Sequence, residues 1–428
     1  MFTEANMLVF KVTKDCNLRC KYCYVSNKDK YKGIHVKFDT YKKIIDKVVE
    51  DKSKAINKTR FALVFHGGEP LLLQPSYLAK MFKYAYDNFT KANIDFSLGL
   101  QTNLTLLNDE NAEILSEYGV NVGVSFDGLK RSNLLRMSLP SKFFESKFKL
   151  LKDYNIDFGV LIVVNSLNYK NTKKNADYII RKYNLPGLKV NYVEDVNSVG
   201  NIEVSGIDFY NYAVKPFIDD FMKKGYTYEA NTSLIIEKFI IRSIAIIDEV
   251  RRSNCGSKIC GGGTQIIEVE PDGSVYFCGR YSNPFNEAYI GFAWDKDFLD
   301  LHRHKRYLDF AYEKHKLLLK YECDLCPADK ICDHGCMAFH FSKYNKWGIR
   351  TNLVCPIFKN VHNYLVKNKK QIIEAFIKKH MGTQKEFEYD FKEKIIKIKP
   401  RYENFMKQLS NIIKIELKNY HTLKFRSI

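Results

Sequence analysis

The sequence lacks the apolar segments that would place a protein in or across a membrane. No run approaches the roughly 18 apolar residues of a membrane-spanning helix, and no charged-then-apolar stretch with a small-residue cleavage site precedes Cys16. We therefore expect a cytoplasmic protein with no membrane partner. Internal repeats and low-complexity segments are also missing. The 428 residues, 45% of them hydrophobic, suffice for roughly two to three globular domains.

Acidic residues are in the minority, because 49 Asp and Glu stand against 68 Lys and Arg, for a net charge of +19. A charge of this size favours nucleic acid, an anionic membrane surface or an acidic peptide as a partner. The excess is unevenly spread. Residues 361–428 hold 16 Lys and Arg against 7 Asp and Glu, so the rest of the chain is only moderately basic.

The chain has eleven cysteines in clustered short spacings, and we expect it to fold in a reducing cytosol. This pattern favours metal binding over disulfides. The first three form Cys16-Asn-Leu-Arg-Cys20-Lys-Tyr-Cys23. Structural zinc and most iron–sulfur clusters take four protein ligands, so three thiolates indicate a cluster with an external fourth ligand. A partial zinc site or three unrelated thiols is the alternative.

Strand-like and helix-like segments alternate over the first half of the chain, which predicts a parallel sheet with crossover helices. Six strands are fewer than the eight of a TIM barrel, so periodicity leaves an open doubly wound sheet and an incomplete barrel both possible. The predicted strands are 7–13, 60–66, 95–101, 120–126, 156–164 and 187–193. Two apolar helical stripes are Leu78, Met81, Phe82, Ala85 and Phe89, and Phe144, Phe148 and Leu151.

Strand 120–126 shows the alternation most clearly. One face carries Val120, Val122, Val124 and Phe126 and should pack on helices. The other face points Ser125 and Asp127 toward the lumen or its rim. Asp127-Gly128 is equally typical of a simple turn.

The cysteine loop resembles the Cys-x3-Cys-x-aromatic-Cys signature of radical SAM enzymes, with Tyr22 as the aromatic residue. The resemblance implies a 4Fe-4S cluster on Cys16, Cys20 and Cys23, with S-adenosylmethionine (SAM) on the open iron. It also favours a partial (β/α)6 TIM-like barrel as the fold. The loop follows the first strand, at the edge where reactive groups collect in both architectures.

A second motif, His66-Gly67-Gly68-Glu69-Pro70, follows the second strand. Adjacent glycines let the backbone approach a ligand, and an exposed edge at Glu69-Pro70 would offer carbonyls to an ammonium. The motif resembles the radical SAM segment that binds the amino group of SAM. By the same resemblance, Ser125 would contact the ribose and Arg136 would bind the carboxylate, with Arg131 as a rival.

The remaining cysteines match the seven-cysteine SPASM pattern of peptide-modifying radical SAM enzymes, with Cys255 in addition. The resemblance implies two auxiliary 4Fe-4S clusters, three clusters in all; two zinc sites are the alternative. Fully ligated clusters would conduct electrons. The implied ligands are Cys255, Cys260, Cys278 and Cys336 for the first cluster, and Cys323, Cys326, Cys332 and Cys355 for the second.

The resemblance further implies an enzyme whose 5'-deoxyadenosyl radical abstracts hydrogen from a peptide or protein, most simply to crosslink a ribosomally made peptide. An anaerobic sulfatase maturase is the alternative, although such enzymes carry Asp directly after the cysteine matching Cys278, where this chain has Gly279-Arg280. An RNA-modifying radical SAM enzyme and a zinc protein binding nucleic acid are two further alternatives, and nucleic acid is not our expected partner. Flavodoxin or ferredoxin is the expected electron donor.

These features divide the chain into a barrel at 1–225, a SPASM domain at 226–360 and a basic, helical extension at 361–428. Because the cluster loop begins at Cys16, we expect no N-terminal winged domain for a precursor peptide. The basic extension, a separate protein or the barrel rim would then engage the precursor. A solvated helical cap is the alternative for the extension.

Overall fold

The computed structural model describes residues 2–3, 5–24, 32–55, 59–137, 141–194, 200–244, 260–280, 288–295, 305–344, 346–381, 387–390 and 395–398. Nine strands of this part of the chain form one sheet in the order β6-β5-β4-β3-β2-β1-β7-β8-β9. The first six run parallel. They are β1 (Met7–Thr13), β2 (Phe61–Gly67), β3 (Phe96–Thr102), β4 (Asn121–Ser125), β5 (Phe158–Val164) and β6 (Leu188–Tyr192).

A helix crosses over between each pair of consecutive parallel strands, and this alternation of strand and helix builds the partial barrel. The helices cover one face of the sheet and leave the other as the lumen. They are α1 (Phe38–Ser53), α2 (Pro75–Lys91), α3 (Asp109–Glu117), α4 (Ser141–Asp153) and α5 (Thr172–Tyr183).

Strand β2 shows why the sequence folds this way. Phe61, Leu63 and Phe65 alternate along it and are fully buried against the helix layer. From α2, Phe82 meets Phe65 edge-on at 4.6 Å between ring centroids, and Phe89 meets Phe61 at 5.9 Å. The period of two in the strand and of 3.6 in the helix therefore build the same core.

The six predicted strands and the partial barrel are confirmed, with strand ends shifted by one or two residues. The apolar face of strand 120–126 is buried as expected, and both predicted helical stripes are buried. Three strands of the sheet were not predicted. They are β7 (Ile266–Val269), which pairs parallel to β1, and the antiparallel β8 (Ser274–Tyr276) and β9 (Tyr289–Phe292).

The rest of the described chain is mainly helical, and none of its helices is long and apolar enough to cross a membrane. Within the described residues, the predicted helical extension is helical as far as Met381, and 387–390 and 395–398 pair as antiparallel strands β10 and β11. The helices are α6 (Gly206–Phe209), continued by a π-helical turn (Tyr210–Val214), α7 (Lys215–Lys224), α8 (Ala230–Ile244), α9 (Lys305–Lys320), α10 (Met337–Tyr344), α11 (Thr351–Lys367) and α12 (Lys369–Met381).

Candidate active site

A cavity of about 260 Å³ lies at the carboxyl ends of the parallel strands. Reactive groups collect at this edge in parallel α/β folds, and the volume is close to that of small-molecule sites. The cavity brings together most of the residues that the sequence predicted for the SAM site. Those that line it are Cys16, Cys20, Tyr22, Cys23, Gly67, Gly68, Ser125 and Arg136.

The cysteine loop and the glycine motif are held together by backbone contacts. Gly68 donates its N–H to the carbonyl of Thr13 at 2.9 Å, and Glu69 donates to that of Asp15 at 2.8 Å. A Cβ on Gly67 would lie 2.0 Å from the Thr13 oxygen, and one on Gly68 would lie 1.8 Å from the Asp15 oxygen. The glycines are therefore required for the loop to pack this closely.

Glu69 and Pro70 do not form the exposed edge that the sequence suggested. Both are buried, and neither lines the cavity. The Glu69 carboxylate accepts hydrogen bonds from the N–H of Asn103 and the hydroxyl of Thr102, each at 2.7 Å, and burial raises its pKa to about 7. This side chain ties the turn after β2 to the end of β3.

Asp127 is buried and links three parts of the site. It accepts a hydrogen bond from the Tyr22 hydroxyl and another from the N–H of Val163 at 2.9 Å. Arg136 lies 3.4 Å from the same carboxylate, with its guanidinium carbon 5.4 Å from the centre of the Tyr22 ring. Arg136 thereby reaches the cavity, whereas Arg131 is exposed and does not line it.

Side chains at the end of β3 form hydrogen bonds with neighbouring parts of the cavity wall. Gln101 donates its amide N–H to the Ser125 hydroxyl at 2.8 Å, and both side chains line the cavity. Asn103, two residues on, donates to Asn17 of the cysteine loop at 2.9 Å. Strand ends β3 and β4 are thus connected to the loop that carries the thiols.

Two charged residues of the cavity wall were missed as candidates, Glu194 and Arg280. Arg350, the residue before α11, donates to Glu194 at 2.6 Å and makes a bidentate pair with Glu203 at 2.6 and 2.8 Å. Burial raises the pKa of Glu194, although Arg350 and Arg280 oppose that rise. Glu194 follows β6 by two residues. The expectation that reactive groups collect at the carboxyl ends of parallel strands therefore also applied to it.

A buried charge cluster lies beside the cavity, where β1 meets β7. Lys11 is 3.0 Å from Glu268 and 3.2 Å from Glu270, and Lys14 is 3.1 Å from Glu270. Burial, followed by the charge of Lys11, lowers the pKa of the neighbouring His66 to about 4. His66 is therefore neutral at pH 7, and its Nδ1 accepts the N–H of Gly67 at 2.7 Å.

The C-terminal cysteines fall into two neighbourhoods. Burial raises the pKa of Cys278, and Cys260 and Cys336 add to that rise. Burial also raises the pKa of Cys323, Cys332 and Cys355, with a contribution from Cys355 at Cys323 and Cys332 and from Cys326 at Cys323 and Cys355. Cys255 lies outside the described residues. Within the part of the chain that the structure describes, no three His, Cys, Asp or Glu side chains converge on a single metal ion.

Backbone N–H groups point at the sulfur atoms of all three cysteine sets. The N–H of Leu18 donates to Cys16 at 3.4 Å, that of Gly262 to Cys260 at 3.4 Å, and that of His334 to Cys332 at 3.3 Å. Hydrogen bonds to sulfur are a feature of iron–sulfur sites, where they adjust the reduction potential. The residues present therefore fit iron–sulfur clusters.

Comparison with known proteins agrees with this geometry. The radical SAM superfamily model matches residues 10–179. The cysteine-type anaerobic sulfatase-maturating enzyme of Clostridium perfringens strain 13 is 26% identical over 377 residues, which cover 84% of this chain and 95% of that enzyme.

Two solved structures share the fold. Native anSMEcpe with bound AdoMet and Cp18Cys peptide aligns with a TM-score of 0.71 at 25% identity, over 86% of this chain and 98% of that one. Streptococcus suis SuiB bound to precursor peptide SuiA aligns with a TM-score of 0.57 at 15% identity, over 82% and 76% of the two chains.

The chain is a radical SAM enzyme. Within that superfamily it is homologous to the anaerobic sulfatase-maturating enzymes and belongs with the radical SAM maturases. Membership implies a 4Fe-4S cluster and SAM as cofactors. The prediction of the family from the two sets of cysteine spacings is confirmed.

Proposed function

We propose that this protein is a maturase that modifies a peptide, most simply by oxidative crosslinking of a ribosomally made precursor. The observation that carries the proposal is one cavity that joins three thiols, a SAM-type glycine turn and the guanidinium of Arg280 from the C-terminal region. The cluster and SAM, when bound, supply the 5'-deoxyadenosyl radical that abstracts a substrate hydrogen. The protein supplies position and exclusion of competing reactants.

Each side chain has a separate task in this proposal. Cys16, Cys20 and Cys23 hold the cluster, and the backbone at Gly67 and Gly68 receives the amino group of SAM. Ser125, oriented by Gln101, contacts the ribose. Arg136 binds the carboxylate, because Asp127 and the ring of Tyr22 hold its guanidinium at the cavity wall.

The C-terminal cysteines would hold two further 4Fe-4S clusters. The neighbourhoods of Cys278 and of Cys323 support the two sets named from the sequence, with Cys255 completing the first. A flavodoxin or ferredoxin is the expected donor of electrons. Three clusters predict about 12 iron atoms per chain.

A sulfatase-type maturase is the second candidate, since homology to such enzymes covers most of the chain. The surroundings of Gly279 weigh against it. A Cβ at this position would lie 3.0 Å from a carboxylate oxygen of the buried Glu268. An acidic side chain after Cys278 would face another carboxylate there, which is unfavourable away from water.

The test is anaerobic incubation of the reconstituted protein with SAM, a reductant and two peptides, one encoded beside this gene and one carrying a sulfatase cysteine motif. We expect 5'-deoxyadenosine and a loss of two hydrogens from the first peptide. Replacing Cys16, Cys20 and Cys23 together by Ser should abolish both and remove about four of the irons.

Other results would redirect the assignment. Formylglycine formed only in the sulfatase peptide would establish the second candidate. An unchanged mass with uptake of solvent deuterium would indicate epimerisation instead of crosslinking. Two zinc ions and no iron would overturn the proposal altogether.

A further inference from the structure

Arg280 brings a guanidinium into the cavity from the C-terminal half of the chain, four residues after β8 ends. Burial raises the pKa of Glu194, Tyr24 and Tyr192, and the charge of Arg280 opposes each rise. All four side chains line the cavity. Arg280 is therefore placed among the groups that a bound substrate would meet.

Glu194 does not depend on Arg280 alone for a counter-charge. Arg350, itself buried, holds one oxygen of Glu194 at 2.6 Å. A guanidinium carries five N–H donors, so Arg280 can take up a further acceptor beside any partner that it has. An anion that engages Arg280 would leave Glu194 paired with Arg350.

The cavity contains one other guanidinium, that of Arg136, among the residues that the structure describes. Asp127 and Tyr22 hold Arg136 beside the cysteine loop, where it is the candidate for the carboxylate of SAM. SAM has one carboxylate, so it accounts for one of the two guanidinium groups. The second, Arg280, lies among the Glu194 and Tyr192 side chains from the end of β6.

We propose that Arg280 recognises a carboxylate of the peptide substrate, either an Asp or Glu side chain or the C-terminal carboxylate. The inference rests on the proposed function and adds the chemistry of the substrate to it. Arg and carboxylate form a bidentate pair whose geometry selects against an amide of the same shape. The net charge of +19 also favours the approach of an acidic peptide.

The test measures dissociation constants by fluorescence anisotropy, with the reconstituted full-length protein saturated with SAM. The probes are four fluorescein-labelled nonapeptides on one Gly/Ser scaffold. Three have an amidated C-terminus and a central Asp, Asn or Lys, and the fourth has a central Asn and a free C-terminal carboxylate. We expect the Asp peptide or the free-carboxylate peptide to bind about tenfold more tightly than the amidated Asn peptide.

Arg280→Gln should abolish that preference, and Arg280→Lys should keep part of it because the charge remains without the bidentate geometry. Arg60→Gln is the matched control, since Arg60 is exposed and lies 3.7 Å from the exposed Asp95. Iron content and SAM affinity must stay at wild-type values in Arg280→Gln, which shows that the variant is folded and loaded.

Equal binding of the four peptides, binding of none, or a preference for Lys would overturn the inference. Weakened SAM binding in Arg280→Gln would also overturn it, because Arg280 would then serve the cofactor. If the holoenzyme still modifies its precursor, only this inference has failed. If no 5'-deoxyadenosine forms with any peptide, the proposed function has failed as well.

Discussion

The two cysteine-bearing regions of this protein are held by different kinds of contact. Cys16, Cys20 and Cys23 lie in one loop, and the turn after β2 fixes that loop through two backbone hydrogen bonds and a glycine contact. The described C-terminal cysteines extend from Cys260 to Cys355, and only the packing of strands and helices brings them together. The first set of cysteines is brought together by its spacing within one loop, and the second by tertiary structure alone.

This difference predicts different weaknesses. A steric change at the glycine turn should remove the N-terminal site and leave the C-terminal region intact. A change in the charges that join the regions should lower the stability of the whole assembly. The three variants below test the contrast, beginning with the largest expected effect.

Gly68→Ala should abolish SAM binding. Its new Cβ would lie 1.8 Å from the Asp15 carbonyl oxygen, so the cysteine loop has to move. We expect loss of about four irons and retention of the rest, measured by iron analysis and SAM titration. Gly159→Ala is the control, because nothing lies within 4 Å of the Cβ position there. Wild-type SAM affinity in Gly68→Ala would contradict the local view of this site.

Arg350→Met should destabilise the protein by about 3 kcal/mol, because it leaves the buried Glu194 and its neighbour Glu203 without their shared cation. The thermal unfolding midpoint should fall by several degrees. Arg60→Met removes an exposed ion pair at 3.7 Å and should leave the midpoint unchanged. Equal shifts in the two variants would show that the Arg350 pair does not join the regions.

His66→Gln should make the free energy of unfolding less dependent on pH. Its effect should be the smallest of the three variants. The folded protein keeps the pKa of His66 at about 4, against about 6.5 in an unfolded chain. The unfolded chain therefore binds the extra proton, and the free energy of unfolding falls as pH drops from about 6.5 to 4, by on the order of 1–3 kcal/mol.

Urea unfolding between pH 7.5 and 4.5 measures this slope. The variant should lose less stability than the wild type across the window. His35→Gln, at an exposed histidine, should keep the wild-type slope. If the free energy of unfolding of His66→Gln falls with pH as steeply as that of the wild type, another group causes the pH dependence.

The sequence allowed the barrel to be predicted well, because strand-like and helix-like segments alternate along it and the first two strands each end in a motif. The cysteine loop and Gly67-Gly68 could be paired because consecutive parallel strands lie side by side. Ser125 was placed toward the lumen by the alternation of strand 120–126 and assigned to the ribose by the family resemblance. Glu69 was misplaced, because a charged residue after two glycines is typical of an exposed turn, yet three hydrogen bonds hold it inside.

The other parts of the site depend on contacts between distant segments. Arg350 and Glu194 are 156 positions apart, and neither has a motif that indicates the other. Strand β7 has only four residues, too few for a clear period, and its partner β1 is at the far end of the chain. Arg280 was noticed only as a departure from a pattern, and its place in the cavity needed the fold.

The pairing of β1 with β7 has a consequence for how the chain is made. On the ribosome, β1 and β2 emerge early, but the second edge of β1 is covered only after β7 has been synthesised, when Met7 pairs with Ile266. Until then the growing chain exposes an open strand edge next to three reactive thiols, a state prone to aggregation and oxidation. A fragment ending at residue 225 would keep every thiol of the N-terminal loop and yet retain that open edge permanently, so the barrel is completed by the chain that follows it.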